Sequence, residues 1–528
     1  MPTSSDKKRI LWVDDEIDGL RSHILFLEQR GYDVAVAPNG EDALELVDSG
    51  TFDVVLLDEQ MPGKTGLAVF KDIRERAPAL PVVMVTKSEE ESLMDRAIGQ
   101  RVDDYIVKPV NPNQVLSVVK RLLEGEHIRH QRIAQDFSQR YLGLENRRKE
   151  VNDWRGWVDA YRELLGWELS LIEAGERGLL ASLEDLQRGY SKDFAGWYSR
   201  NYRAWIRARD DERPPISSTN PPLSMDVLAD WVLPHVRDGR RVLFVIVDCL
   251  RLDQWMTIQE SLRGFYEINE DFYLSIVPSA TPYSRNAIFS GLSPRQIAER
   301  YPQYWRDVRD EGSLNLHERE LLASLLQRHG MDPGQAAYQK VFTADEGAQV
   351  ERRLANLLQS PLSVLVFNFI DILTHGRSES EILKEIAPDQ EAFRSLTRSW
   401  FLHSSLRSVL EGAARLGVTV VLTSDHGSVH CRRPATVYAK RDATENLRFK
   451  FGDNVRSDEP SALLVKSGAD VGLPDMGPTT HYLFATEDFY FVYPTKLREY
   501  QSRYYGSFLH GGISLEEIVM PIATLTPR

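Results

Sequence analysis

Cysteine is almost absent from this sequence, and its scarcity excludes one class of metal site. The 528 residues include two cysteines, Cys249 and Cys431. Two cysteines are too few for a zinc-finger ligand set, and such low usage is typical of proteins in a reducing compartment. We therefore expect a cytoplasmic protein whose metal ligands, if it has any, are not thiolates.

Long apolar runs and an excess of positive charge are also missing. No apolar run approaches the roughly 18 residues of a membrane-spanning helix, and the first residues lead into a strand without the apolar stretch of a secretion signal. The net charge of −14 argues against general coating of nucleic acid, although it allows a local basic pocket. What is present is ample core-forming material, since 42% of the residues are hydrophobic, and the length of 528 residues predicts about two to four domains. We expect no insertion into a membrane.

The first 122 residues alternate between apolar strands and amphipathic helices. Predicted strands cover residues 10–13, 54–57, 82–85 and 105–107, and predicted helices cover residues 19–30 and 40–49. Such alternation indicates a parallel sheet with helices on both faces. The polar side chains that follow each strand should then converge at one edge of the sheet.

The residues at those strand ends have the chemistry of a phosphoryl acceptor. Asp14, Asp15 and Asp58 bring together three carboxylates, which a divalent cation would stabilise, and hard oxygen ligands favour Mg²⁺. Asp58 would accept the phosphoryl group, while Thr86 and Lys108 would bind its oxygens. The alternative is that these are capping and surface residues of an ordinary flavodoxin-like fold.

This set, in this order, resembles the receiver domain of two-component response regulators, and the resemblance covers residues 1–122. It implies phosphorylation of Asp58 and places Tyr105 at the family's aromatic switch position, although a strand aromatic is the ordinary interpretation of Tyr105 alone. It also implies a homodimer that forms on phosphorylation through residues 89–100 and 111–123.

Residues 123–215 change to charged, helix-favouring sequence. Predicted helices cover residues 129–141, 147–167 and 181–209. Half of the ten tryptophans fall here: Trp154, Trp157, Trp167, Trp197 and Trp205. They could form an aromatic recognition surface or the core of a small helical bundle, and the second is favoured because so short a unit needs large side chains to bury enough area. We interpret the segment as a coupler, followed by an extended linker at residues 214–222.

The third part is organised around residues 419–426, where an apolar strand is followed by Asp425 and His426. A carboxylate beside an imidazole at the end of a buried strand is a common way to hold zinc, but Asp-His-Gly is also a common turn. Other predicted strands end in matching groups. Asp248 follows one, and Asp371 follows another with His375 four residues later, on the same face of a helical turn.

With His510 near the C-terminus and the hydroxyl of Thr281, these residues resemble the two-zinc site of the alkaline phosphatase superfamily, in its PglZ-type branch. The resemblance implies that Asp371, His375 and His510 hold one Zn²⁺. Asp248, Asp425 and His426 would hold the other, beside Thr281 as nucleophile. The stretch 444–452 resembles a PglZ-type basic motif. Arg285, Arg448 and Lys450 are therefore candidates for binding substrate phosphate, with ion-paired scaffold residues as the alternative. Helical periodicity over residues 314–359 and 379–415 predicts helices that cover the sheet.

The expected fold class is α/β: a flavodoxin-like receiver domain at 1–122, an α-helical bundle coupler at 123–215, and an alkaline-phosphatase-like doubly wound domain at 216–528. This order resembles the PorX-type response regulators. The resemblance implies an upstream sensor histidine kinase, control of type IX secretion, contact with an alternative sigma factor or a secretion component, and phosphodiesterase activity on an oligonucleotide or cyclic nucleotide.

The competing hypothesis is a protein-interaction scaffold, controlled by phosphorylation, with a structural or vestigial zinc site. A structural zinc is closed by four protein ligands, whereas a catalytic zinc keeps an open position. Three protein residues per metal leave room for substrate, which favours an enzyme.

Overall fold

The structure, a computed structural model, describes residues 7–78, 80–87, 102–123, 125–211, 214–306, 315–440, 444, 446–457 and 461–528. The chain divides into two compact units. The first runs to Gln139 and adds Ser170–Leu179, and the second contains Arg140–Leu169 and Leu180–Arg528. Of the two segments expected at the dimer surface, residues 89–100 lie outside the described residues. Within the described ranges, no helix has both the length and the apolar character that a membrane crossing requires.

The first unit contains a five-stranded sheet whose paired strands are all parallel, in the order β2-β1-β3-β4-β5. Its strands are β1 (Arg9–Val13), β2 (Asp33–Ala37), β3 (Val54–Asp58), β4 (Val82–Thr86) and β5 (Asp104–Val107). The helices are α1 (Arg21–Glu28), α2 (Gly40–Ser49), α3 (Gly66–Arg76) and α4 (Pro112–Leu123). This is the flavodoxin-like order, and the four predicted strands are confirmed to within one residue. The sequence interpretation had not named β2, whose side chains are mostly not fully buried.

Three long helices follow: α5 (Gly125–Glu150), α6 (Trp154–Glu173) and α7 (Arg177–Asp211). The predicted helix at 147–167 is wrong at its start, because α5 continues to Glu150 and α6 begins only at Trp154. The cause is local. Asp153 Oδ1 accepts a hydrogen bond of 2.7 Å from the backbone N–H of Gly156, a contact typical of a residue that caps a helix.

The tryptophans of this region belong to a core. Trp154, Trp157, Trp197 and Trp205 are buried, while Trp167 is half-buried. The ring centroids of Trp197 and Trp205 are 5.2 Å apart, a separation typical of packed aromatic pairs. The bundle interpretation is therefore confirmed for four of the five.

A six-stranded sheet, in the order β7-β19-β10-β6-β9-β8, forms the centre of the second unit. Its strands are β6 (Val242–Val247), β7 (Tyr266–Leu274), β8 (Ala336–Val341), β9 (Leu362–Phe367), β10 (Thr419–Thr423) and β19 (Val519–Pro527). The four strands from β8 to β10 are parallel, and β19 and β7 add an antiparallel edge. The segment 314–359 contains two helices, in agreement with its periodicity, but between them lies β8, which the sequence interpretation had not named. As an edge strand, β8 is only partly buried and lacks the apolar run that marks its neighbours.

Helices cover this sheet, and smaller strands complete the unit. The helices are α8 (Leu233–Arg237), α9 (Leu252–Ile258), α10 (Thr281–Ser290), α11 (Pro294–Arg300), α12 (Glu318–Arg328), α13 (Ala344–Leu357), α14 (Phe369–Glu379), α15 (Glu381–Ile386), α16 (Gln390–Leu402), α17 (Ser405–Arg415), α18 (Leu497–Tyr504) and α19 (Leu515–Ile518). The remaining strands are β11 (Val429–Cys431), β12 (Arg433–Tyr438), β13 (Phe449–Asp453), β14 (Arg456–Ser457), β15 (Ala462–Val465), β16 (Thr480–Ala485), β17 (Phe489–Val492) and β18 (Ser507–Leu509).

Candidate active site and phosphoacceptor site

The candidate active site begins at the ends of three neighbouring parallel strands. Asp248 directly follows β6, Asn368 directly follows β9, and Asp425 lies two residues after β10. Because the carboxyl ends of parallel strands meet at one edge, these side chains converge there. Asp371 comes from the first turn of α14, and its Oδ1 lies 3.4 Å from Nε2 of His375, one turn further along.

The remaining histidines bring two groups of ligands together. His426 Nε2 lies 3.7 Å from Asp248 Oδ1 and 3.8 Å from Asp425 Oδ2. On the other side, His510 Nε2 lies 3.7 Å from Asp371 Oδ1. The ring centroids of His426 and His510 are 4.4 Å apart, so the two groups adjoin.

The boundary between the groups differs slightly from the expected division. Ligand atoms of Asp371, His426 and His510 lie within 4.8 Å of one another, as do those of Asp248, Asp425 and His426. His426 therefore lies between the two groups. His375 is on the outer side, with 60% of its side chain exposed, and its Nε2 is 3.0 Å from that of His510.

The chemistry of these groups fits divalent cations. Asp425 is fully buried, and its Oδ2 has no hydrogen-bond partner among the described residues. Burial, together with the charge of Asp248, raises the pKa of Asp425 to about 7. His426 Nδ1 is 3.0 Å from the carbonyl oxygen of Gly427, to which only a protonated Nδ1 can donate. The Nε2 lone pair is then available to a metal, and mixed imidazole and carboxylate donors are typical of zinc.

Thr281 is the hydroxyl of this site. Its Oγ1 lies 3.2 Å from Asp248 Oδ1 and 3.0 Å from His426 Nε2. It is the first residue of α10, where unpaired backbone N–H groups and the helix dipole favour negative charge. Thr281 also lines a cavity of about 950 Å³, so the hydroxyl faces both the metal ligands and a space for substrate.

Arg285 supports Asp248. It is fully buried on α10, with Nη1 2.5 Å from Asp248 Oδ2 and Nε donating to Glu318 Oε1 at 2.6 Å. Asn368 Nδ2 donates to the same oxygen of Asp248 at 2.7 Å. Sequence reasoning had proposed Arg285 as a phosphate ligand and had missed Glu318 and Asn368. Asn368 was detectable as a polar residue directly after a strand, whereas nothing in the helical pattern distinguishes Glu318.

The structure does not bring the other two basic candidates to the cavity. Arg448 is fully buried and donates to both carboxylate oxygens of Glu517, at 3.1 Å from Nε and 2.5 Å from Nη2. Lys450 Nζ lies 2.5 Å from the carbonyl oxygen of Thr444. Neither is among the described residues that line the cavity, to which their segment contributes Asn446 and Phe449. We correct Arg448 to an ion-paired scaffold residue and place Lys450 away from the site.

The first unit brings its predicted site together as well. Lys108 Nζ lies 2.9 Å from Asp14 Oδ2 and 2.8 Å from Asp58 Oδ2, and both aspartates are buried. Asp15 is exposed, but its ligand oxygen lies within 4.8 Å of those of Asp14 and Asp58. Burial raises the pKa of Asp58, and the hydrogen bond from Lys108 opposes that rise. Three carboxylates around one point fit Mg²⁺.

Thr86 and Tyr105 are the two residues that the sequence predicts to take part in switching. Thr86 Oγ1 donates a hydrogen bond of 2.6 Å to Oε2 of Glu59, the residue directly after Asp58. Tyr105 is 40% exposed on β5. The sequence interpretation had not singled out Glu59, because a carboxylate next to a phosphoacceptor carries no spacing signal.

Three family models match consecutive parts of the chain. The response regulator receiver domain matches residues 10–120, the PorX response regulator linker domain matches 127–206, and the BREX system PglZ alkaline phosphatase-like domain matches 227–525. The last match alone spans more than half of the chain. The chain belongs to the PorX-type response regulators. Receiver domains typically pair with sensor histidine kinases, and both domain types commonly use divalent metals such as Mg²⁺ and Zn²⁺.

Curated relatives match a smaller part of the chain. The transcriptional regulatory protein ResD of Bacillus subtilis (strain 168) is 38% identical over 119 residues, which are 22% of this chain and 49% of ResD. The alkaline phosphatase synthesis transcriptional regulatory protein PhoP of the same strain is 36% identical over 123 residues, 23% of this chain and 50% of PhoP. The chain thus spans about half the length of the curated relatives it matches.

Solved receiver structures also match part of the chain. The response regulator TrrA from Thermotoga maritima, solved in complex with Mg²⁺ and BeF, is 35% identical, with a TM-score of 0.21, and the match covers 22% of this chain and 99% of TrrA. A CheY-like receiver domain protein from Methanospirillum hungatei JF-1 is 30% identical, with a TM-score of 0.22, and the match covers 23% of this chain and 96% of that protein.

Proposed function

We propose that the PglZ domain is a zinc-dependent phosphodiesterase with Thr281 as its nucleophile, and that phosphorylation of Asp58 regulates its output. The observation that carries the proposal is the position of Thr281. Its hydroxyl lies within 3.2 Å of Asp248 and His426, at the N-terminus of α10, and faces the 950 Å³ cavity. A hydroxyl group in these surroundings is suited to attack the phosphorus atom of a substrate that enters the cavity.

Six side chains would hold the two ions: Asp371, His375 and His510 for one, and Asp248, Asp425 and His426 for the other. When bound, the zinc ions would stabilise the negative charge of the phosphoryl group and lower the pKa of the attacking hydroxyl. The chain contributes the positive end of α10 at Thr281 and the Arg285 guanidinium that orients Asp248.

The charge balance favours diesters over monoesters. Three carboxylates against two divalent ions leave about one positive charge. Arg285 adds none, since it is paired with the buried carboxylate of Glu318. A monoanionic diester matches that charge better than a dianionic monoester does, which supports a nucleotide-type diester such as an oligonucleotide or a cyclic nucleotide.

The open side of the ligand cluster favours an enzyme over an interaction scaffold. Thr281 and the exposed His375 both line the cavity. A structural zinc site is closed by protein ligands on all sides, whereas this cluster has room for substrate.

Substitution of Thr281 tests the proposal. With bis(4-nitrophenyl) phosphate at saturating zinc, Thr281→Ala should lose about a thousandfold or more in kcat, whereas Thr281→Ser should retain substantial activity because it keeps a hydroxyl. Zinc content, measured on both variants, should match the wild type. Hydrolysis by Thr281→Ala at the wild-type rate would remove Thr281 as nucleophile. Faster turnover of 4-nitrophenyl phosphate than of the diester would reject the preference.

For the receiver domain we propose Mg²⁺ at Asp14, Asp15 and Asp58, and contact of Thr86 and Lys108 with the phosphoryl oxygens. Movement of these groups would change the position of Tyr105 and of the surface that includes α4, so that two chains associate. Control of type IX secretion, through a sigma factor or a secretion component, would be the downstream output, with the coupler at residues 123–215 carrying the signal.

Light scattering tests the association. With Mg²⁺ and beryllofluoride, the wild-type mass should double, and Asp58→Ala should remain at the unphosphorylated mass. A response that persists in Asp58→Ala, or an unchanged wild-type mass, would contradict this model and leave the zinc assignment intact.

A further inference from the structure

The cavity is larger than the proposed chemistry at its metal end requires. Its volume of about 950 Å³ is at the upper end of the range for sites that enclose a drug-sized molecule. Beyond Thr281 and the metal ligands, it extends to a second wall. That wall contains Leu316, Arg319, Gln339, Lys340 and Phe342.

This second wall exposes apolar surface. Phe342 is 51% exposed and Leu316 is 55% exposed, although both line a cavity. The backbone at Phe342 is fixed, because its N–H donates 2.7 Å to Oε2 of Glu346 in the capping box at the start of α13. The ring is therefore carried on a hydrogen-bonded backbone segment, and it has exposed surface on which a flat apolar group can stack.

The wall contains two cationic side chains, Lys340 and Arg319, which differ in whether an acidic partner offsets their charge. Lys340 Nζ lies 2.9 Å from Glu318 Oε2 and 3.0 Å from the carbonyl oxygen of Asn315, so its charge is offset. Arg319 is exposed and has no ion pair with the residues that the structure describes. Glu320, the next residue in the chain and also part of the lining, has its Oε2 4.0 Å from His317 Nδ1.

We propose that this wall is a nucleoside subsite of the proposed phosphodiesterase: a base stacks on Phe342 beside Leu316, and the guanidinium group of Arg319 contacts the face of that base. The amides of Asn315 and Gln339 and the ammonium group of Lys340 also line this end of the cavity. Such polar groups suit the edge of a heterocycle and do not suit an acyl chain, so a nucleotide diester is favoured over a phospholipid. The role of this subsite in catalysis rests on the proposed function, but the binding of a nucleotide to it can be tested separately.

The kinetic test compares two substrates with the same leaving group. These are thymidine 5′-(4-nitrophenyl) phosphate, which carries a nucleoside, and methyl 4-nitrophenyl phosphate, which does not. The wild-type zinc protein should prefer the nucleoside diester by about tenfold or more in kcat/KM, the size of one stacked base. Phe342→Ala and Arg319→Ala should each remove most of that preference, because kcat/KM should fall much more for the nucleoside diester than for the methyl diester.

Matched controls are available on the same unit. Tyr505→Ala removes an exposed aromatic side chain, and Arg398→Ala an exposed arginine; neither residue is among those that line the cavity. Both controls should keep the wild-type preference. Phe342 and Arg319 variants that keep the preference, that slow both substrates equally, or that behave like the controls would overturn the subsite.

A binding measurement separates failure of the subsite from failure of the proposed function. Thymidine 5′-monophosphate is titrated by calorimetry into zinc-loaded Thr281→Ala protein, with and without Phe342→Ala. We expect about tenfold weaker binding in the double variant. Equal binding overturns the subsite even if diesters are hydrolysed, whereas weaker binding supports it even if no hydrolysis is seen. A glycerophosphocholine diester that competes as well as the nucleotide would also contradict it.

Discussion

The receiver domain and the PglZ domain each place a cluster of acidic side chains at the carboxyl ends of parallel strands, but the clusters differ in donors and depth. The receiver cluster offers carboxylate oxygens alone, and Asp15 is exposed. The PglZ cluster mixes carboxylates with imidazoles, and Asp248 and Asp425 are fully buried. Open oxygen sites suit readily exchanged Mg²⁺, and deep nitrogen and oxygen sites suit retained Zn²⁺. One topological position therefore supports a reversible switch in one domain and a proposed catalyst in the other.

The basic side chain beside each cluster also differs, since the one in the receiver domain can adapt and the one in the PglZ domain is fixed. Lys108 contacts both Asp14 and Asp58 directly, so a Mg²⁺ ion would compete with its ammonium group for these carboxylates, whereas a phosphoryl group would attract it. Arg285 is held on its far side by Glu318, and its contact to Asp248 is fixed. A flexible lysine can respond to a change in charge, whereas a guanidinium paired on two sides holds one geometry.

The largest effect should come from removing a buried carboxylate of the PglZ cluster. Asp425→Asn removes a ligand charge, and because loss of outer partners alone typically costs 10- to 100-fold, we expect more than about a hundredfold loss of diester hydrolysis together with loss of zinc. The control is Asp14→Asn, which changes the receiver cluster and should leave zinc content and hydrolysis unchanged. Two retained zinc ions per chain in Asp425→Asn would show that the two clusters do not differ as proposed.

A smaller effect should follow from Arg285→Gln. Asp248 would lose its charged partner and Glu318 would be left buried with one cation fewer, so zinc should bind about 10- to 100-fold more weakly in a competition titration. Arg448→Gln is the matched control, because Arg448 is equally buried and paired with Glu517. Both variants should lower Tm, and only Arg285→Gln should change zinc affinity. Equal zinc affinities of the Arg285→Gln and Arg448→Gln variants would indicate that Arg285 is a scaffold residue, as Arg448 is.

The residues of both sites that the sequence could predict are mostly polar side chains at the ends of apolar strand runs. Asp58, Asp248 and Asp425 follow apolar runs that form buried strands, and the spacing of Asp371 and His375 predicts their shared helical face. Side chains that act through another residue carry no such pattern.

The residues and the strand that the sequence interpretation missed lack such a pattern. Glu318 lies on an amphipathic helix, Glu59 beside a phosphoacceptor, and β8 at a partly buried edge where the apolar pattern fades. The sequence interpretation wrongly placed Arg448 and Lys450 at the substrate site, because a basic motif reveals the charge of its side chains but not where they point. Which way a side chain points depends on its packing partners, here the distant Glu517 for Arg448 and the nearby Thr444 for Lys450.

The smallest effect concerns the hydroxyl of each site. Thr281 lies against metal ligands, but Thr86 donates to Glu59, a residue that is not a member of the three-carboxylate cluster. For Thr86 to bind a phosphoryl oxygen, that charge-assisted hydrogen bond must be exchanged. Glu59→Gln should weaken it by about 1 kcal/mol, the difference between a charged and a neutral acceptor, and so tighten beryllofluoride binding about fivefold in the presence of Mg²⁺.

Removing a negative charge near an anion site would itself favour binding, so a charge control is needed. Glu16→Gln provides it, because the backbone N–H of Glu16 donates to Asp14 Oδ1 of the cluster at 2.9 Å while its carboxylate is exposed. Calorimetric titration of beryllofluoride into both variants separates the two causes. A shift in Glu59→Gln that exceeds the shift in Glu16→Gln assigns the difference to release of the Thr86 hydroxyl, whereas equal shifts would mean that charge alone is responsible and that Glu59 does not restrain the switch.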